Sequence, residues 1–225
     1  VITRNAVATL YTDDDGKLLN GTSDGKQYSF GLYGSWLGED GQYADLIVKR
    51  TRVDTEFDLS NLAGLRQQAS YHNWANSISL EYGRRFSDVL IPGAFVEPQA
   101  ELSYAYLTSA SYRTSAGAGV HQSAMKSAIG RLGAAFGYAF PKSAGSAYLR
   151  ASVLHEFAGE ARTTLSYKGQ SRSISDDLGG TWGEVAAGLA YNFSERLSAY
   201  GEVQTAFGSP IRSPWQASAG LRLSF

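Results

Sequence analysis

The sequence predicts an all-β protein, a closed antiparallel transmembrane β-barrel of about ten strands that takes up residues 1–225 as a single domain. Three observations indicate this fold. Apolar and polar residues alternate within many segments, and the connections between those segments alternate between short and long. No apolar run approaches the ~18 residues that a membrane helix needs. Tyr (14), Phe (10) and Gly (25) are abundant while Pro (5) is scarce, which favours strands over helices as the membrane-crossing element.

The last segment shows the clearest alternation. From Trp215 to Phe225 it reads W-Q-A-S-A-G-L-R-L-S-F, with an apolar residue at every second position. A strand with one apolar and one polar face suits a barrel that contacts lipid outside and water inside. The last strand of a soluble β-sandwich would show the same pattern, so this segment alone leaves both folds open.

Ten segments share the alternation, and each is predicted to form one strand. In the eighth, for example, Val185, Ala187 and Leu189 oppose Glu184, Ala186 and Gly188. The predicted strands are Asn5–Tyr11, Gln27–Leu37, Gln42–Glu56, Tyr71–Phe86, Phe95–Arg113, Lys126–Phe140, Ala147–Tyr167, Trp182–Phe193, Leu197–Phe207 and Pro214–Phe225.

The connections favour the barrel over the sandwich. Short periplasmic turns alternating with longer extracellular loops are typical of transmembrane barrels. The predicted short turns are Gly38–Gly41, Ser87–Gly93, Pro141–Gly145 and Ser194–Arg196. The predicted long loops are Asp13–Gly25, Leu59–Gln68, Thr114–Met125 and Lys168–Gly180, and the fairly short link Gly208–Ser213 is the exception. Aromatic residues beside the short turns are predicted to form an interfacial girdle: Phe86, Phe95, Tyr138, Phe140, Tyr191, Phe193 and Phe225.

If the apolar face points outward, a set of charged residues faces the lumen. Its predicted members are Asp45, Lys49, Glu81, Arg85, Glu97, Glu101, Arg131, Arg150, Glu156, Glu184, Glu202 and Arg222. Acids and bases in a narrow lumen should pair, because an unpaired buried charge is costly. The set has two interpretations, a hydrophilic conduit and an ordinary barrel wall. Gly133, Gly137 and Gly188 lie on the same polar side and are also predicted to face the lumen.

No cofactor, metal site or catalytic residue is predicted. His72, His121 and His155 lack the spacing of metal ligands, and the chain has neither a phosphate-binding loop nor a nucleophile elbow. The formal net charge of −1 gives no sign of a nucleic-acid partner. A passive or structural pore stays open as an alternative function, and an outer-membrane hydrolase with dispersed catalytic residues is a less favoured one.

Six stretches, taken in their order and spacing, resemble the β-domain of classical autotransporters of Gram-negative bacteria. They are Y-S-F-G-L-Y-G-S-W-L (Tyr28–Leu37), Y-A-D-L-I-V-K-R (Tyr43–Arg50), L-E-Y-G-R-R-F (Leu80–Phe86), F-V-E-P-Q-A-E-L-S-Y (Phe95–Tyr104), I-G-R-L-G (Ile129–Gly133) and A-Y-L-R-A-S-V-L-H-E-F-A-G (Ala147–Gly159). The resemblance implies a barrel of about twelve strands whose pore holds an N-terminal helix leading to a secreted passenger. The helix, the passenger and about two family strands have no counterpart before Val1. A shortened chain and a smaller closed barrel are therefore both open.

The resemblance also implies a location and partners. The expected location is the outer membrane of a Gram-negative bacterium. The expected partners are outer-membrane lipid, the barrel-assembly machinery, periplasmic chaperones and the protein's own passenger, with the barrel itself a monomer. In the last strand Ser218, Gly220, Leu223 and Phe225 match a pattern that resembles the C-terminal signal read by the assembly machinery.

Overall fold

The computed structural model is almost entirely β-structure. It describes residues 2–12, 18–61, 66–194, 196–208 and 215–223, with the backbone alone for 2–12, 18–21 and 59–61. In these ranges fifteen strands form two antiparallel sheets, and one 3-10 turn spans Pro141–Ser143. No helix of the described ranges is long and apolar enough to cross a membrane.

The strands are β1 (Ile2–Thr12), β2 (Leu18–Leu37), β3 (Gln42–Asn61), β4 (Arg66–Arg84), β5 (Phe86–Ser87), β6 (Ala94–Leu107), β7 (Ala110–Arg113), β8 (Gly119–Gln122), β9 (Met125–Ala139), β10 (Gly145–Glu156), β11 (Glu160–Tyr167), β12 (Gln170–Asp177), β13 (Gly180–Asn192), β14 (Leu197–Phe207) and β15 (Gln216–Leu223).

The main sheet contains ten strands in the order β1-β2-β3-β4-β6-β9-β10-β13-β14-β15, and the short β5 pairs with β6. Each of the ten predicted segments overlaps one of these strands. The sheet differs from the prediction at its edges. Among the described residues β1 pairs with β2 alone and β15 with β14 alone, so the predicted closure into a barrel is not observed.

Tight turns set the register of this sheet. Gly38 N donates to Gln42 O at 2.8 Å and closes the turn between β2 and β3. Because side chains alternate with a period of two, the resulting register decides which residues share a face. It aligns Leu32 with Val48, and Val48 with Ile78, in one row across three strands.

The face that carries this row, the outer face, is apolar and exposed. Leu132 is 69% exposed and Leu221 is 74% exposed, although both lie within regular strands. Exposed apolar residues of the same face recur on nine of the ten main strands: Phe30, Leu32, Trp36, Leu46, Val48, Ile78, Leu80, Tyr82, Leu102, Tyr104, Leu132, Phe136, Tyr138, Leu149, Val153, Val185, Leu189, Tyr191, Val203, Leu221 and Leu223. A continuous apolar surface of this extent indicates an apolar environment or a partner.

Pro98 lies inside β6, where a proline cannot donate to a neighbouring strand. The structure places it at a gap between two ladders. Pairing of β6 with β4 ends at Gln99, and pairing with β5 begins at Val96. The break also leaves Arg85 between β4 and β5, where its backbone N–H donates to Gly41 O at 2.8 Å.

Two predicted long loops are wrong, because they contain strands. Segments 114–125 and 168–180 contribute β8 and β12 to a second sheet, the small sheet, in the order β12-β11-β8-β7. Lys168 and Gly169, with φ of 49° and 81°, form the two-residue turn of the β11–β12 hairpin. Two long predicted strands are correspondingly divided, at 108–109 and at 157–159. Strands β2, β3 and β4 also extend into the predicted loops 13–25 and 59–68.

Aromatic stacking joins the small sheet to the main sheet. The Tyr112 ring stacks on Tyr71 with centroids 4.4 Å apart, and it meets Phe57 edge-on at 5.8 Å. Asn73 Nδ2 also donates to the Thr108 carbonyl at 2.7 Å. Burial, with the neighbouring Tyr71 as a lesser cause, raises the pKa of the Tyr112 hydroxyl to about 12. The small sheet is therefore fixed against β3 and β4 at the end remote from the short turns.

Candidate functional site: the ionic inner wall

The face opposite the apolar one, the inner wall, carries the charged residues singled out in the sequence. The strand register places Asp45 opposite Glu81, Glu81 opposite Glu101, and Glu101 opposite Arg131. The remaining strand residues of the predicted set occupy alternate positions of the same face, and Arg85 joins them from the break after β4. Most of these side chains meet in two networks.

Arg131 is the centre of the first network. Its Nη2 lies 2.5 Å from Glu81 Oε2 and 2.7 Å from Glu101 Oε2, and its Nε donates to Glu101 at 2.9 Å. The Arg131 side chain is only 9% exposed. Because the two glutamates face each other in register, their carboxylates would repel without the guanidinium between them. Three strands, β4, β6 and β9, are tied together by this one arginine.

Glu97 extends the first network toward the short turns. Arg85 Nε donates to Glu97 at 2.5 Å, and Gln99 Nε2 donates to it at 2.8 Å. Tyr43 links the two parts, because its hydroxyl lies 2.7 Å from Glu81 Oε1 and 3.3 Å from Glu97 Oε1. Glu97 is buried, at 7% exposure, so these donors replace the water that its carboxylate would otherwise bind.

Arg150 organises the second network. Its Nη2 lies 3.1 Å from Glu202 Oε1 and 3.7 Å from Glu184 Oε1. The Tyr148 hydroxyl donates to Glu202 Oε2 at 2.5 Å. These contacts tie β10 to β13 and β14, so charge pairing spans the inner wall from β4 to β14.

Glu156 is buried at the end of β10 and serves a different purpose. Its carboxylate accepts hydrogen bonds from the backbone N–H groups of Ala128, at 2.7 Å, and Ala158, at 3.0 Å. The Ser127 hydroxyl donates to it as well. Glu156 therefore fixes the corner at which the chain leaves the main sheet for the small sheet.

Besides Glu156, three predicted charges lie outside both networks. Asp45 accepts a hydrogen bond from the Tyr33 hydroxyl at 3.0 Å. Lys49 is exposed and lies opposite Gly31. Arg222, on the edge strand β15, lies opposite Ser198 of β14. The structure thus brings most, but not all, of the predicted charges together.

Aromatic rings cover glycines on the inner wall. A Cβ at Gly188 would meet the Tyr148 ring, and one at Gly137 would meet the Phe95 ring. Gly133 lies on the same face beside Ser152, so all three glycines predicted to face inward occupy the inner wall. Phe95 corrects the predicted aromatic girdle. It is 3% exposed and lies under Arg85, whose Cζ is 4.0 Å from the ring centroid, because it shares the inward parity of Glu97.

Sequence reasoning missed Tyr43, Gln99 and Tyr148 as members of the networks. Each lies two residues from a predicted inward charge, so the alternation already placed it on the inner wall. Together the networks present paired ions and hydroxyl groups, a surface suited to contact with water rather than lipid. Of the predicted assembly signal, Ser218, Gly220 and Leu223 lie on β15, while Phe225 lies outside the described residues.

Comparison with known proteins identifies the family. The sequence model described as the autotransporter beta-domain matches residues 3–204. The pertactin autotransporter of Bordetella parapertussis is 30% identical over 198 residues, which are 87% of this chain and 21% of the relative. The BrkA autotransporter of Bordetella pertussis is 32% identical over 201 residues, 87% of this chain and 19% of the relative. The chain spans about a fifth of the length of these curated relatives.

Solved structures show the same fold. The β-domain of the Bordetella autotransporter BrkA superimposes with a TM-score of 0.67 at 24% identity, covering 99% of this chain and 89% of that one. The transport unit of the autotransporter AIDA-I from Escherichia coli gives a TM-score of 0.69 at 16% identity, covering 100% of this chain and 82% of that one. The family model covers most of the two-faced main sheet, and the chain therefore belongs to the autotransporter β-domain family, a translocator family of Gram-negative outer-membrane proteins.

Proposed function

We propose that this chain anchors in the outer membrane and assists the passage of an N-terminal passenger to the cell surface. The observation that carries the proposal is the opposition of the two faces of the main sheet. An exposed apolar face on one side and a paired ionic wall on the other suit lipid outside and water inside. The short turns then face the periplasm, and the small sheet stands on the cell surface.

The inner wall supports passage of an unfolded chain. Most of its charges already hold partners, as Arg131 does with Glu81 and Glu101. A passing segment therefore meets water and satisfied ion pairs rather than apolar surface to which it would adhere. The wall itself does no bond chemistry in this proposal, and we assign no catalytic residue.

Closure of the main sheet is part of the proposal. Unpaired backbone groups at the edges β1 and β15 would each cost several kcal/mol in lipid. Antiparallel pairing of β1 with β15 would close a ten-stranded barrel, and two further strands of the same protein would give the family number. The chain has no cysteine, so engineered cysteine pairs report this pairing cleanly.

The closure test uses Ala6→Cys or Ala8→Cys on β1 with Ala217→Cys or Ala219→Cys on β15. A disulfide in the folded, membrane-inserted protein supports direct closure in the register that cross-links. Val203→Cys with Ala217→Cys, a register pair of β14 and β15, is the positive control. If the control pair forms a disulfide and no pair between β1 and β15 does, direct closure is contradicted.

The translocation test uses the full-length protein with an epitope in the passenger. The epitope should become accessible to antibody and protease on intact cells that carry the folded barrel, which is recognised by its heat-modifiable gel mobility. A folded barrel in the outer membrane with the passenger retained in the periplasm would contradict the translocator role and favour a passive pore.

We further propose that the chain is a monomer without a nucleic-acid partner, delivered by periplasmic chaperones and inserted by the barrel-assembly machinery. The machinery would read β15 as an edge strand, with Ser218, Gly220, Leu223 and Phe225 fixing register. Deleting Phe225 should lower the amount of inserted barrel in cells, while the purified variant still refolds in detergent. Equal loss in both assays would make Phe225 a stability residue.

A further inference from the structure

The outer face of β2, β3, β4 and β6 contains an apolar groove. The groove has a volume of about 410 Å³ and is lined by Phe30, Leu32, Val48, Ile78 and Tyr104 among others. Phe30 is 74% exposed and Leu32 is 68% exposed. Adjacent strands bring these residues into neighbouring rows, with Leu32, Val48, Ile78 and Tyr104 in one row.

Cations border the groove on its small-sheet side. Arg50 lies in the row directly beyond Val48, and Arg52 lies one row further. Arg50 extends along the strand, so that its Cζ is 4.4 Å from the centroid of the Trp74 ring, and Trp74 is the register partner of Arg52. Lys26 is exposed on the same face of β2. The guanidinium thus sits at the polar rim of the apolar surface, as expected for a side chain that snorkels toward headgroups.

The two ends of this face differ in how their arginines are neutralised. Arg84, beside the short turns, also lies over an aromatic ring, with its Cζ 5.0 Å from the Phe86 centroid, but it pairs with Asp40 at 3.3 Å. Within the described residues Arg50 has the ring contact and no carboxylate within ion-pair distance. Arg52, one row further, pairs with Asp54 at 2.9 Å. At the small-sheet end the uncompensated guanidinium is therefore that of Arg50, whereas Arg84 is compensated at the end with the short turns.

We propose that the groove and its cationic rim form a binding site for an anionic phosphorylated glycolipid of the outer leaflet. The acyl chains would lie along Leu32, Val48 and Ile78. Arg50 would hold a headgroup phosphate, because guanidinium groups bind phosphate through paired hydrogen bonds, and Lys26 would add charge. The acidic Asp54 and Glu56 lie on the same face of β3, and Asp54 already pairs with Arg52, so the phosphate is confined to the level of Arg50. This inference rests on the proposed function, since it needs the small-sheet end to face the outer leaflet.

The test uses the purified chain, refolded in detergent, and native mass spectrometry. The probes are lipid A with two phosphates, the same lipid after enzymatic dephosphorylation, and phosphatidylglycerol as an anionic lipid without a phosphorylated sugar. Lipid A should be retained by the wild-type protein, and dephosphorylation should abolish the retention. An uncompensated basic residue at a lipid headgroup is worth about a fivefold change in affinity, so R50Q should lose about fivefold.

The variant R84Q is the matched control, because it removes an arginine that also covers an aromatic ring on the same face. R84Q should retain lipid A like the wild type. Equal retention of dephosphorylated lipid A or of phosphatidylglycerol by the wild-type protein would overturn the proposal, and so would equal losses in R84Q and R50Q. Surface display of the passenger separates this inference from the proposed function. Loss of lipid specificity with normal display overturns the glycolipid site alone, whereas a chain absent from the outer membrane removes both.

Discussion

The inner wall and the small sheet both contain close arginine–glutamate pairs, but in different surroundings. Arg131 lies 2.5 Å from Glu81, and Arg162 lies 2.6 Å from Glu160. The Arg131 side chain is 9% exposed, whereas that of Arg162 is 54% exposed. Two ion pairs with similar distances therefore contribute differently to stability. A pair in water contributes little, whereas a buried pair becomes costly to break once its charges have left water.

The same contrast runs through both sheets. In the main sheet several charged side chains are buried, such as Glu97 and Glu156, while Leu132 and Leu149 are exposed. In the small sheet every residue of β12 is exposed, and the strand is mostly polar. The main sheet thus shields several of its charges from water and exposes its apolar groups. In the small sheet the exposed residues of β12 are mostly polar, as is usual for a sheet in water. The difference supports the proposal that the main sheet, rather than the small sheet, contacts lipid.

Replacing Arg131 should give the largest effect. In Arg131→Met the carboxylates of Glu81 and Glu101 lose their shared partner and face each other across two strands. Leaving buried charge uncompensated costs about 3–5 kcal/mol. The free energy of unfolding in detergent, from denaturant titration followed by tyrosine and tryptophan fluorescence, should fall by that order.

Arg162→Met is the matched control for this comparison. It removes an arginine with the same pair distance from the solvated sheet, and it should change stability by no more than about 0.5 kcal/mol. Equal losses in the two variants would mean that solvent screens the inner wall as fully as the small sheet, and the contrast between the regions would fail.

The alternation of apolar and polar residues predicts which face of a strand each side chain occupies, but it does not predict which charged residues pair. A period of two places Glu97, Gln99 and Glu101 on one face whatever their neighbours are. Which charges meet is set by register between strands distant in sequence. Arg131 and Glu81 are separated by 50 residues, and no local pattern links them. The faces were therefore predictable, whereas the two networks were not.

The small sheet was missed for a different reason. β12 (Q-S-R-S-I-S-D-D) is short and exposed along its whole length, so it shows almost no apolar alternation. The available signal was the turn, because Lys168-Gly169 between T-T-L-S-Y and Q-S-R-S-I is typical of a two-residue hairpin. Phe95 lies beside a turn, but it points inward because it has the same parity as Glu97, and parity therefore predicts its face better than its distance from the turn does.

A glycine substitution on the inner wall should have an intermediate effect. A Cβ at Gly137 would meet the Phe95 ring and come within 2.5 Å of the Ala147 carbonyl oxygen. The ring could rotate away, but the backbone cannot, so Gly137→Ala should cost about 1–3 kcal/mol. Gly34 is the control, since a Cβ there meets no described atom within 4 Å. Gly34→Ala should be neutral in the same unfolding assay, and a loss equal to that of Gly137→Ala would contradict the packing argument.

The smallest predicted effect concerns the junction between the two sheets. The folded pKa of Tyr112, at about 12, lies above the ordinary value near 10. A raised pKa means that the docked state favours the protonated hydroxyl. This contribution is fully present below about pH 10 and is lost as the pH rises toward 12. Because the ring is only partly buried, screening by solvent limits the contribution to about 1 kcal/mol at most.

Near-ultraviolet circular dichroism measures this junction, since the stack of Tyr112 on Tyr71 fixes the two rings at an interplanar angle of 5°. The signal should decline between about pH 10 and 12 in the wild-type protein. Tyr112→Phe keeps the ring contacts with Tyr71 and Phe57 but cannot ionise, so its signal should persist over the same range apart from changes shared by all tyrosines. If both proteins declined alike, ionisation of Tyr112 would play no part in docking, and the small sheet would be held by other contacts, such as the hydrogen bond that Asn73 Nδ2 donates to the Thr108 carbonyl.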